Sequence, residues 1–179
     1  MARRPAAPRI LYGRRRIAAR VRRLAAAIDA RYPGTPVTLC GVLTGGVIFA
    51  ADLARSLRND RVELSFVRAS SYGAGTRSSG RVQLDILDEG GIAGKDVVVV
   101  EDIFETGRTL EAVVKGLRVS GARSVATTVL LLKPGRRTVD LEPDWVGFTM
   151  EEDAFVAGYG LDAGHRWRNL PDIVVPVTP

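Results

Sequence analysis

At 179 residues, with 46% hydrophobic and 26% charged positions, the chain can bury a real core as one domain and is neither disordered nor fibrous in composition. Its formal charge of +6 is mostly arginine, with lysine only at 95, 115 and 133, a balance that suits nucleic acid or a polyphosphate substrate. A single cysteine, Cys40, excludes an intrachain disulfide, and no apolar run reaches membrane-spanning length, so a cytoplasmic protein without signal peptide or membrane partner is expected.

In chain order, Met1 to Arg9 is basic and proline-containing. Gly13 to Arg31 then places Ile17, Val21, Leu24, Ala25 and Ile28 on one helical stripe. Its arginines lie mostly off that stripe. Such a helix can bind RNA, but no aromatic residue is interleaved to stack bases, so a solvated arginine face is the favoured reading. Pro33-Gly34 breaks the helix. Val37 to Leu43 reads as a strand, Thr44-Gly45-Gly46 as a turn and Val47 to Leu57 as a helix, which together outline an anion site. Cys40 reads as a small buried residue of that strand.

Val62 to Val67 and Arg81 to Leu87 alternate as strands around a polar, Gly- and Ser-rich tip, the pattern of a long flap. Ser124 to Leu132 is a buried strand ending at Lys133. Trp145 to Met150 and Phe155 to Gly160 are short strand candidates. Asp162 to Arg168 is a polar loop holding the lone histidine, His165, read as a surface residue. Ile173 to Val177 is a last strand.

The densest information lies at Val97 to Leu110, VVVVEDIFETGRTL. Four consecutive valines read as a parallel strand covered on both faces. Glu101 and Asp102 follow, then a short turn from Ile103 to Thr106, and a helix from Leu110 to Val119. The amides of Thr106, Gly107, Arg108 and Thr109 can converge on a phosphate with the helix dipole behind them. The two acids need another partner, either ribose hydroxyls or a divalent metal.

This stretch resembles the ribose-5-phosphate signature of the type I phosphoribosyltransferases, and the resemblance extends from about Tyr12 to the C-terminal strand. Within that class, Gly41-Val42-Leu43-Thr44-Gly45-Gly46 is similar to the pyrophosphate loop of hypoxanthine-guanine phosphoribosyltransferases. Ser70-Ser71-Tyr72-Gly73 resembles their flap motif, with Ser78-Ser79-Gly80 after it. Lys133 resembles their purine-reading lysine, Phe155 to Asp162 their purine-stacking and metal segment, and Arg168 their pyrophosphate arginine. The order Leu132-Lys133-Pro134, then Arg136-Arg137, is bacterial-like.

The resemblance implies an α/β, type I phosphoribosyltransferase fold. Its central, mostly parallel sheet is flanked by helices, with a flexible flap hairpin at about 69–87 and a small hood built from the N- and C-terminal segments, in one domain over 1–179. It implies a pentosyltransferase of purine salvage that moves the 5-phosphoribosyl group of phosphoribosyl pyrophosphate to hypoxanthine or guanine. Glu105 takes the place of the catalytic base near N7. Glu101, Asp102, Thr106, Gly107, Arg108 and Thr109 bind the phosphoribosyl group; Thr44, Gly45 and Arg168 bind pyrophosphate. Lys133, Phe155 and Val156 bind the purine. Asp162, with Glu101 and Asp102, serves Mg²⁺. A homodimer or homotetramer is implied, and nucleic acid is not an expected partner. The chain departs from the family in having Glu105 for the usual Asp, Thr44 for a frequent Lys or Arg, and the bulky Phe104. Two other readings are a phosphoribosyl pyrophosphate-sensing regulator that binds RNA or DNA through the basic helix, and a xanthine-type phosphoribosyltransferase.

Overall fold

The valine run forms the middle of the sheet in this computed structural model, which describes residues 7–71, 82–87 and 91–176, and only the backbone of Ser70, Ser71, Val82 and Gln83. In chain order the elements are β1 (Arg9–Tyr12), α1 (Arg14–Arg31), β2 (Val37–Leu43), α2 (Val47–Ser56), β3 (Val62–Ser71), β4 (Val82–Leu87), β5 (Asp96–Phe104), α3 (Arg108–Val119), β6 (Ser124–Leu132), β7 (Trp145–Thr149) and β8 (Ile173–Val175). Among the described residues, six strands form one sheet in the order β4-β3-β2-β5-β6-β7. All neighbours are parallel except the edge strand β4, which runs antiparallel to β3. The expected mostly parallel α/β sheet is what the chain forms.

Side-chain alternation explains why β5 is apolar throughout. Val98 and Val100 face one core, with Phe49, Ala50 and Leu53 of α2 and the buried stripe of α1. Val97 and Val99 face a second core, with Leu110, Val113, Val114 and Leu117 of α3. The topology requires helices on both faces. From β2 the chain moves to β3 on one side; from β5 it moves to β6 on the other. Right-handed crossovers in opposite directions put α2 and α3 on opposite faces. The order therefore reverses between β2 and β5, and a crevice opens at their carboxyl ends.

Helix α1 buries the five residues of its predicted stripe, Ile17, Val21, Leu24, Ala25 and Ile28. Several of its arginines have structural partners. Arg31 donates to Asp144 Oδ1 at 2.9 Å, Arg14 Nε lies 3.6 Å from Asp172 Oδ1, and Arg16 and Arg20 lie over the Phe148 ring. Those contacts account for part of the basic face without a nucleic acid.

Several elements differ from the sequence reading, β3 among them, which runs on to Ser71 rather than stopping at Val67. Strand β5 continues through Phe104, because Glu101, Ile103 and Phe104 stay in register with Val129, Leu131 and Leu132 of β6. Helix α3 starts at Arg108 rather than Leu110, because Gly107, at φ 81°, is a left-handed cap that turns the chain straight into the helix. Phe155 to Gly160 is not a strand. Gly158, Tyr159 and Gly160 have φ of 93°, 51° and 100°, and the segment makes only isolated bridges, Ala157 with Val174 and Gly158 with Leu161. Strand β1, which the basic N-terminal composition did not suggest, pairs antiparallel with β8 in a separate two-stranded sheet. Of the flap motif, Ser70 and Ser71 end β3, whereas Tyr72, Gly73 and Ser78-Ser79-Gly80 lie outside the described residues.

Candidate active site

Two loops leave the sheet side by side at the topological crevice, Thr44–Gly46 after β2 and Glu105–Gly107 after β5. The peptide bond Leu43–Thr44 is cis. Gly46 donates to Val42 O at 3.0 Å and opens α2. In the second loop, Arg108 N–H is 3.4 Å from Thr106 Oγ1. Gly107 is needed for its backbone angle and for space: a β-carbon there would lie 2.5 Å from Val139 and 2.6 Å from the Phe104 ring. Phe104 is buried beneath the loop and fills that floor. The α3 N-terminus follows directly on this loop, and its Gly107 cap has no side chain to fill the place where an anion can meet first-turn amides. Arg108 is turned aside: its Nε donates to Thr138 Oγ1 at 3.3 Å.

Glu101 and Asp102 stand at the strand end between these loops. A β-carbon on Gly45 would sit 1.7 Å from Asp102 Oδ2, so the acid lies directly against the β2 loop. Ile103 N–H donates to Asp102 Oδ1 at 2.9 Å. Glu101 is only 6% exposed, and among the described residues no salt bridge reaches either acid. Burial, with the Asp102 charge beside it, pushes the Glu101 carboxyl well above the ordinary carboxylate range. Burial likewise raises Asp102 to about 6; its hydrogen bonds and Arg168 oppose the rise, and Asp162 adds to it.

The third wall is the turn from Gly158 to Asp162. Tyr159 Oη donates to Asp52 Oδ2 of α2 at 2.7 Å and anchors the turn. Arg168 donates to Gly160 O at 2.6 Å and pairs with Asp162 at 2.8 Å. His165, exposed as expected, donates its amide to Asp162 Oδ2 at 3.0 Å. Gly160 has a particular demand: a β-carbon there would lie 2.2 Å from Gly45 O. Gly160→Ala is therefore expected to lower unfolding free energy in urea by roughly 1–3 kcal/mol, from the strained φ and the backbone clash together. Unchanged stability would show that the two walls do not touch in solution.

Beyond Glu105 the crevice is bordered by a cluster of charged side chains. Lys133 caps β6, its amide donating to Phe104 O at 2.9 Å, and the residue is 8% exposed. Its Nζ lies 3.5 Å from Glu105 Oε1 and 3.4 Å from Asp153 Oδ1. Arg136 Nη1 donates to Glu105 Oε1 at 2.9 Å, and its Nε donates to Asp153 Oδ2 at 2.9 Å. Arg136 thereby holds the Asp153 carboxyl below its usual range, and its own guanidinium is raised in turn. Phe155 is 61% exposed, whereas Val156 is buried in the core. The sequence reading named Lys133, Glu105 and the pair Arg136-Arg137 but did not find Asp153. Its only local trace is the acidic run Glu151-Glu152-Asp153.

The matching family model, the phosphoribosyl transferase domain, covers residues 10–163. The hypoxanthine-guanine phosphoribosyltransferase of Bacillus subtilis is 38% identical over 93% of this chain and 92% of its own length. The hypoxanthine phosphoribosyltransferase of Salmonella typhimurium is 43% identical over 87% of each. A crystal structure of a Bacillus anthracis hypoxanthine-guanine phosphoribosyltransferase, with a HEPES molecule in its active site, superposes with a TM-score of 0.87 at 38% identity, covering 97% of this chain and 100% of that one. The matched span contains both crevice loops, the paired acids, Lys133 and the Gly158–Asp162 turn, and the chain belongs to the phosphoribosyl transferase family.

Proposed function

We propose that this protein transfers the 5-phosphoribosyl group of phosphoribosyl pyrophosphate to hypoxanthine or guanine, giving IMP or GMP and pyrophosphate, as a cytoplasmic purine-salvage enzyme. The observation that carries the reading is the meeting of a helix terminus, a buried glutamate beside a half-buried aspartate, and a buried lysine around one crevice. The names of the similar enzymes from Bacillus and Salmonella support the choice of reaction.

In the reaction the bond from ribose C1 to the pyrophosphate oxygen breaks and a bond from C1 to purine N9 forms. The amides of Thr106, Gly107, Arg108 and Thr109, with the hydroxyls of Thr106 and Thr109, bind the 5-phosphate. Thr44 and Gly45 grip pyrophosphate through backbone amides, and Arg168 adds the cation. Glu101 and Asp102 hold the ribose hydroxyls and set a negative field beside the sugar as positive charge grows at C1. Glu105 receives the proton that the purine gives up at N7. Lys133 donates to the 6-oxo oxygen, Phe155 covers one face of the base, and the Val156 carbonyl accepts from guanine N2.

The donor set fits Mg²⁺. Among the described residues, the buried Glu101 and the half-buried Asp102 beside it lack a salt bridge, and no three His, Cys, Asp or Glu side chains group to hold a metal alone. Mg²⁺ binds that way, through one or two carboxylates plus substrate oxygens. Glu101 and Asp102 on one wall, and Asp162 on the other, would each meet it together with substrate oxygens rather than as one closed carboxylate cage, and it would neutralise the departing pyrophosphate. The family resemblance supports a homodimer or homotetramer. Among the described residues no helix is long and apolar enough to cross a membrane.

A base panel with phosphoribosyl pyrophosphate and Mg²⁺, followed by absorbance, tests the reading. Hypoxanthine or guanine is expected to react. Adenine is not, because Lys133 has only donors and would meet the adenine 6-amino donor. Steady turnover of adenine would overturn the role of Lys133. Silence with every purine, together with salt-sensitive RNA binding, would overturn the enzyme in favour of a regulator.

A further inference from the structure

Glu105 is a long side chain on a loop, and its carboxylate is partly exposed. A base of that kind loses rotamer freedom, and effective alignment, unless something holds it. The holding group is not a neighbour in sequence. Arg136 reaches it from the loop after β6, 31 positions along the chain.

The same guanidinium grips Asp153 with Nε and Nη2. Asp153 lies after β7, two residues before Phe155. One arginine therefore joins three loops of the pocket: the one with Glu105, its own, and the one leading to Phe155. The contacts are also unequal between the two oxygens of Glu105. Arg136 and Lys133 both approach Oε1. That leaves Oε2 to face a ligand.

Lys133 adds a constraint. Its Nζ stands between Glu105 and Asp153, at 3.5 and 3.4 Å. If Lys133 alone held these acids, turning a proton toward an oxopurine would release them. With Arg136 gripping both acids, Lys133 can turn and they stay in place.

We infer that Arg136, braced by Asp153, is the positioning residue of this pocket: it orients Glu105 toward the purine and leaves Lys133 to read the 6-oxo group. The inference rests on the phosphoribosyl-transfer reading. Arg136 acts through Glu105 and touches no reacting atom.

The test is kinetic, on the full chain. Arg136→Ala is expected to lower kcat for hypoxanthine at least about tenfold, as expected for a misplaced base, with the dissociation constant for phosphoribosyl pyrophosphate, measured by calorimetry, little changed. Arg136→Lys, which keeps one cation on a similar stem, is expected to recover part of the loss. Placed on Glu105→Gln, Arg136→Ala is expected to cost less than about twofold more, because its effect passes through the missing carboxylate. Full kcat in Arg136→Ala, no recovery with lysine, or losses that multiply independently in the double variant would each overturn the inference. Wild-type protein that turns over no oxopurine would instead overturn the reaction itself, and the inference with it.

Discussion

Glu105→Ala is expected to lower kcat with hypoxanthine by about 10²–10⁴, the usual value of a positioned acid–base group, and to leave phosphoribosyl pyrophosphate affinity nearly unchanged. The two effects separate because different atoms are involved. In the proposed site the phosphate is met by backbone amides at the α3 N-terminus, which the substitution does not touch. Glu105 points instead toward Lys133 and Arg136, on the side proposed for the purine. Steady-state kinetics and calorimetric titration of the donor measure the two quantities. Equal kcat would remove Glu105 from the mechanism. A parallel fall in donor affinity would show that the loop, not the base, had been damaged.

Asp102→Asn is expected to stop turnover while making the ligand-free protein more stable at pH 7. Burial lifts the Asp102 carboxyl from 3.8 to about 6. Between those values the folded state keeps a proton that the unfolded chain has released. This group's contribution is therefore fully present below pH 3.8 and is lost as pH rises through about 6. Above that, the ionised carboxylate costs roughly 1–3 kcal/mol, from about 1.4 kcal/mol per pKa unit and some relaxation. Asparagine has nearly the same shape, can keep the bond from Ile103 N–H, and carries no charge to bury. Thermal unfolding should show the variant ahead at pH 7 and the gap closing by about pH 4. A wild type more stable than the variant at pH 7 would contradict a buried, uncompensated acid.

Much of the site was legible in the chain because its chemistry is written in neighbours. The run from Val97 to Thr109 holds a strand, two acids, the proposed base Glu105 and a helix cap within a few residues, and the structure keeps them in that order across β5 and α3. The α1 stripe was equally plain, since a 3.6-residue period is a local property. What escaped were long-range partners. Asp153 meets Arg136 across 17 positions, Tyr159 meets Asp52 across 107, and β1 meets β8 across the whole chain. The segment Phe155 to Gly160 misled for another reason. Its apolar, aromatic composition suits a strand, but Gly158 and Gly160 are there to turn the chain.

The amino-acid sequence by itself determined most of the strand-and-helix order, the buried centre of the sheet, and which strand end carries Glu101, Asp102 and the proposed base Glu105, because hydrophobic period and turn chemistry act between near neighbours. Only the tertiary structure decided that the loops after β2 and β5 open at one crevice, that Asp102 abuts Gly45, and that Arg136 ties Glu105 to Asp153. Those contacts depend on the direction each crossover takes over the sheet, and that direction is set by packing whole elements together rather than by any local run of residues.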